Sequence, residues 1–153
     1  MGNNKAKGSR YERSHAKIWR ESLNFVKVQT SRAASKLIDD CGIDFVNIPF
    51  NVQAKTGYAN NRPRYDQLYQ YTMKKLDQYF DKNDPIFKKP FVLAYKLNGR
   101  KPENIQWTFA QKDIVPILKT YFNFQRNKFE INKLINQISD EKLKLKLIKF
   151  INE

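Results

Sequence analysis

The sequence predicts an α/β fold in which a small mixed sheet is flanked by helices and followed by C-terminal amphipathic helices. Three observations lead there. A helical stripe near the start precedes a run of short β-branched segments, a second helix separates that run from two more strands, and the last quarter spaces its apolar residues only as helices do. The 153 residues fit one domain, enough to bury about two thirds of the unfolded surface. A content of 41% hydrophobic and 14% aromatic residues supplies the apolar area that offsets ordering entropy.

Residues 1–9 read as a flexible basic tail. Over 11–23, Tyr11, His15, Ile18, Trp19 and Leu23 recur at three- and four-residue steps, which predicts a helix with Ser9 as N-cap and Glu12 as its capping-box partner. Residues 26–30 (VKVQT) alternate and are β-branched, as a strand requires. After the small residues 31–35 and the sequence DDCG come a short strand at 43–46, a turn at Asn47, Ile48 and Pro49, and a strand over 50–55 closed by Thr56 and Gly57.

Pro63 opens a second helix to about residue 80, where Leu68, Tyr69, Met73, Leu76, Tyr79 and Phe80 keep helical spacing. Tyr65, Tyr69 and Tyr71 on this helix are assigned to core packing in preference to base stacking. Strands at 91–97 and 105–109 flank a turn from Asn98 to Pro102, and a short helix follows at 113–121. Ile131, Leu134, Ile135 and Ile138 form one apolar stripe. Ser139, Asp140 and Glu141 restart the helix, and Leu143, Leu147, Ile148 and Ile151 form another stripe. The expected organisation is a main domain over 10–125 and a helical extension over 126–153 that packs on it or forms a dimer surface.

Lys and Arg number 29 against 15 Asp and Glu, a formal charge of +14 and a pI near 9.9, which points to a polyanionic partner. Half of that excess lies in residues 1–36, with nine basic and two acidic side chains. A single Cys (Cys41) and a single His (His15) exclude disulfide scaffolds, Cys/His zinc cages and multi-histidine nuclease chemistry. Catalytic work is left to carboxylates, amides, Lys and Arg, and Cys41 reads as a small buried filler in a reducing compartment. No apolar run approaches the roughly 18 residues of a membrane span, and the N-terminus MGNNKAKGSRYERS lacks a signal peptide's apolar stretch, so a cytoplasmic location is expected.

The chemistry-bearing stretch runs from Asp44 to Lys55. Side chains alternate along a strand, so Gln53 and Lys55 share one face, with Ala54 opposite, at the end of a hairpin that Asp44 begins. Phosphodiester cleavage needs oxygen ligands for Mg2+ and a cation near the attacking water or the phosphorane charge. Asp44 and the Gln53 amide oxygen offer the first, and Lys55 the second.

The segments KGSRYERSHAKIW, QTSRAAS, GIDFV and FNVQAKTG resemble the PD-(D/E)XK nuclease superfamily, most closely its archaeal-type and phage Holliday-junction-resolvase branch. The motifs span residues 7–57 and the order of elements extends to 120. The resemblance implies a restriction-endonuclease-like α-β-β-β-α-β core and a Mg2+-dependent DNA endonuclease, with Mn2+ able to substitute. It also implies action on branched DNA such as a four-way junction, in recombination or repair, by a homodimer in a bacterial or phage-infected cell. Its metal site maps onto Glu12, Asp44 and Gln53, with Lys55 completing the catalytic set. Arg13 follows the helix Glu, and Arg32 and Ser35 match a phosphate-facing segment, with Arg10 and Lys36 placed beside them as DNA-binding residues. Gln53 departs from the family's acid and removes one negative charge, so metal affinity should fall. The stretch between Ser35 and Asp44 is longer than the pattern, and its Asp39 and Asp40 stand as alternatives to Asp44. Competing readings are a nicking, replication or repair, or restriction-like nuclease of the same fold, a nucleic-acid-binding protein without catalysis, and an assembly protein that inherited the fold.

Overall fold

In a computed structural model of the chain, which describes residues 3–58, 62–97 and 104–152 with side chains over 6–57, 62–97 and 104–150, the first element is helix α1, Asn3–Leu23. The basic segment expected as a tail is part of this helix from Asn3 on. Ser9 is therefore not an N-cap; its hydroxyl accepts from the Arg32 guanidinium at 3.0 Å. Asn24 turns the chain with φ of 56°, and the Val28 N–H closes the turn on the Phe25 carbonyl at 3.0 Å. That turn consumes the start of the expected first strand, leaving β1 as Gln29–Thr30. The small-residue stretch folds into two short helices, α2 (Ser31–Ala34) and α3 (Lys36–Asp40).

Strand β2, Phe45–Val46, pairs antiparallel with β1, and the turn at Asn47 (φ 62°) leads to β3, Asn51–Tyr58. Helix α4 follows at Tyr65–Tyr79, then a 3-10 turn at Pro85–Lys88. Strands β4 (Phe91–Leu97) and β5 (Gln106–Phe109) complete the sheets. The turn expected from Asn98 to Pro102 lies outside the described residues. The result is mixed α/β, with a two-stranded sheet β1-β2 and a three-stranded sheet β3-β4-β5. β3 and β4 are parallel, β4 and β5 antiparallel.

Strand alternation divides the core. Val52 and Ala54, paired with Val92 and Ala94, turn to α1 and pack with Tyr11, Ala16 and Trp19. Trp19 is fully buried and stacks on Trp107 with ring centroids 4.7 Å apart. On the opposite face Phe91, Leu93 and Tyr95 meet Tyr65, Leu68 and Tyr69 of α4. Tyr65 and Tyr69 thus pack in the core as expected, whereas Tyr71 is exposed. Cys41 is the buried filler the sequence suggested, packed with Ile43, Leu76 and Ile86.

The chain divides into two compact units at Ala110 and Gln111, where the sequence suggested one domain with an extension from 126. The short helix expected at 113–121 is the start of α5, Gln111–Ile135. Residues 123–128, between the helix expected to end at 121 and the stripe from Ile131, are an exposed stretch of this one continuous helix. α6, Glu141–Asn152, restarts where predicted. The Asp140 carboxylate accepts from the Lys142 and Leu143 N–H groups at 2.9 and 3.1 Å, a side-chain N-cap. No described helix is long and apolar enough to cross a membrane.

Candidate functional site

Asp44 sits where the two sheets meet. Its carbonyl accepts from the Ser31 N–H at 2.9 Å, continuing the β1-β2 ladder, and its N–H donates to the Val52 carbonyl on β3 at 2.8 Å. The Asp44 carboxylate then accepts from the Ala54 N–H, taking the place of a ladder carbonyl. Among the described hydrogen bonds, this residue's main chain and side chain link the two sheets. A carboxylate is the residue that can both close a ladder and keep its second oxygen for another partner. Burial pushes the Asp44 carboxyl up to about 7; the Ala54 hydrogen bond and Lys55 oppose the shift, and Glu12 and Asp39 add to it.

Glu12 enters from α1, one turn before the fully buried His15. It is 7% exposed, and burial raises its pKa against the opposing pull of Arg32, Lys55 and Arg13. An open cleft of about 360 Å³ is lined by Lys7, Gly8, Glu12, Ala54, Lys55, Thr56 and Gly57. Glu12 and Lys55 therefore share one basin, with Asp44 within electrostatic reach of both. Gly57 (φ 90°) lets β3 bulge at the rim, where the register shifts between Thr56 and Tyr58.

Arg32 is drawn into the acidic cluster. Its guanidinium lies 3.4 Å from Glu12 and 3.8 Å from Asp39, and Asp39 also accepts from the Ser31 hydroxyl at 3.3 Å. Of the two alternative acids, Asp39 belongs to the cluster. Asp40 is exposed and pairs with Lys36 at 3.2 Å; neither acid is among the residues that line the basin. Ser35 has a helix-capping contact, its hydroxyl accepting from the Ile38 N–H at 3.4 Å. Arg10 and Arg13 are exposed on α1.

Gln53 lies between Val52 and Ala54, the two β3 residues that Asp44 bonds, but its side chain takes the α4 side of the strand. It is 4% exposed, and its Oε1 is buried without a hydrogen-bond partner. Its Nε2 end is close to Gly42, where an added Cβ would stand 2.9 Å from Nε2 and 3.5 Å from the Thr72 hydroxyl. The structure thus brings Glu12, Asp44 and Lys55 together with Arg32 and Asp39, and leaves Gln53 beside them without grouping it with Glu12.

Among the described residues no three His, Cys, Asp or Glu side chains form a metal-ligating group. The donors at hand are two carboxyls held protonation-prone by burial and one orphaned amide oxygen. All three are hard oxygens of the kind Mg2+ takes, but only Asp44 and Glu12 are gathered at the basin, so the residues fit a cation through those two carboxyls and not through the Gln53 amide on the α4 side. Sequence reasoning missed Lys7 and Thr56 as basin residues, although Lys7 is one and a half turns before Glu12 on the same helix. Compared with known proteins, the chain matches no protein-family model, no curated protein and no solved structure.

Proposed function

We propose that the protein is a Mg2+-dependent DNA endonuclease with a PD-(D/E)XK-type, restriction-endonuclease-like core, acting on branched DNA such as a four-way junction. The observation that carries this reading is Asp44, placed where the two sheets meet, with Glu12 from α1 and Lys55 from β3 gathered beside it. Asp44 and Glu12 would hold the metal, which would supply charge neutralisation at the scissile phosphate and activate water. Lys55 orients the attacking water and offsets charge on the phosphorane. Arg10 and Arg13, exposed on α1, hold flanking phosphates. A homodimer carries two such sites, as paired cuts across a junction require.

A second reading, a nucleic-acid-binding protein without catalysis, is favoured by Arg32. Its guanidinium already neutralises Glu12 and Asp39, so part of the acidic cluster is satisfied without a cation. One assay separates the two: a labelled four-way junction, a matched duplex and single strands incubated with Mg2+, Mn2+ or EDTA. The endonuclease cuts in metal and not in EDTA, and Asp44→Asn and Lys55→Ala abolish cutting while binding persists. Absence of cleavage of every substrate in either metal would overturn the enzymatic reading.

A further inference from the structure

Beside the acidic basin is a second cleft, of about 310 Å³, lined by Lys7, Arg10, Tyr11, Ser14, Thr56 and Lys96. Its described lining carries three cations and no carboxylate. The residues come from three elements brought into register. Lys7, Arg10, Tyr11 and Ser14 lie on one face of α1, Arg10 and Tyr11 each three or four residues from Lys7 and from Ser14. Thr56 and Lys96 are direct partners in the β3-β4 ladder and project from the sheet face that α1 covers.

The two clefts are continuous in their walls. Lys7 and Thr56 line both, and the buried Tyr11 hydroxyl is within electrostatic reach of Asp44. This neighbourhood matters because the Arg32 guanidinium, 3.4 Å from Glu12 and 3.8 Å from Asp39, is already engaged by the acidic cluster. The cationic cleft next to the basin carries no such carboxylate in its described lining and offers attraction to phosphate that needs no metal. The unit that contains both carries 20 Lys and Arg against 10 Asp and Glu, so its field favours a polyanion over an isolated anion.

We propose that this cleft holds a backbone phosphate of the nucleic-acid strand that crosses the basin, contacted by Lys7, Arg10 and Lys96 with the Thr56 hydroxyl as a further donor. The identity of the strand as substrate rests on the endonuclease reading; the contact itself needs only nucleic acid.

The test measures binding in EDTA, where cleavage plays no part. A fluorescent four-way junction and its matched duplex are titrated by anisotropy across a salt series for the wild type, for Arg10→Ala/Lys96→Ala, and for Lys74→Ala/Lys82→Ala on the α4 side. Thermal melts check that each pair remains folded. The cleft pair should lose about tenfold in affinity and flatten the slope of log affinity against log salt by about 2, with a smaller change for the α4-side pair. Equal changes in the two pairs overturn the proposal. A second arm titrates inorganic phosphate by thermal shift: stabilisation that depends on Arg10 and Lys96, with an unchanged DNA slope, marks a small-anion site and also overturns it. If the cleft pair flattens the slope but the wild type never cuts DNA, only the endonuclease reading falls. If the wild type cuts DNA and the slopes are unchanged, only the cleft assignment falls, and a wild type that binds no nucleic acid removes both.

Discussion

Asp44 combines two jobs that pull against each other. Its carboxylate closes the ladder to Ala54, yet burial raises its pKa to about 7. A raised folded-state pKa contributes stability that is present below the unfolded value near 4 and lost as pH rises through 7. Asp44→Asn should therefore stabilise the protein at pH 8 in EDTA, on the order of 3 kcal/mol, and under the proposed function it should also abolish cleavage. Urea unfolding at pH 5 and pH 8 checks this, with the gain confined to the higher pH. His15 works in the other direction. Packed among Tyr11, Trp19, Phe45 and Trp107, its ring is held neutral, with a pKa lowered by burial to about 4. Its contribution is present above the unfolded value of 6.5 and is lost as pH falls toward 4. His15→Phe should remove that acid-side loss, seen as a flatter unfolding midpoint between pH 6.5 and 4. Asp44 was legible from its place at a strand start. The Arg32 ion pairs were not, because Arg32 and Glu12 are twenty residues apart and meet only when α2 folds beside α1.

Among the elements, β3 positions the site, and two glycines show how closely the chain around it is fitted. Gly42 has φ of 77° and a Cβ there would stand 2.9 Å from Gln53. Gly42→Ala should cost about 1–3 kcal/mol and displace the Gln53 amide. Gly57 has φ of 90° with no atom within 4 Å of an added Cβ, so Gly57→Ala should cost about 1 kcal/mol from backbone strain alone. Denaturant midpoints for the two variants check the difference. Asn51, 1% exposed and donating to the Ile86 carbonyl at 2.8 Å, ties β3 to the turn before β4; Asn51→Ala should cost about 1–3 kcal/mol by leaving that carbonyl unpaired. The existence of α1, β3, α4, β4 and α6 was readable from periodicity. The first two strands were overextended because β-branched residues such as Val26 also occupy turns, and α2 and α3 went unread because four- and five-residue helices are too short to show a period.

For the molecule as a whole, the α/β unit up to Ala110 contains the three principal packed clusters. A fragment of residues 1–110 should therefore unfold cooperatively by itself, as a single thermal transition followed by circular dichroism; a non-cooperative melt would show that the core needs the helical unit. The +14 charge predicted a polyanion but not a location for it. Half of it lies in the first 36 residues, which contain α1, whose Lys7 lines both the acidic basin and the cationic cleft, and a count of charges conceals the cluster of Glu12, Asp39 and Asp44.

Composition and periodicity were sufficient to define a mixed α/β chain with a large basic excess and too few cysteines and histidines for a zinc cage, and strand alternation brought Asp44 and Lys55 forward, whereas Glu12 was singled out as a site residue only by the resemblance to a nuclease superfamily. They are local quantities: a strand's alternation or a helix's stripe is written in neighbouring residues. The meeting of the sheets at Asp44, the side of β3 that Gln53 takes, the capture of Arg32 by Glu12 and Asp39, and the pairing of Thr56 with Lys96 next to α1 depend on contacts between segments distant in sequence. Those are settled when apolar faces pack and each buried polar group must find a partner, a condition no single segment can satisfy alone.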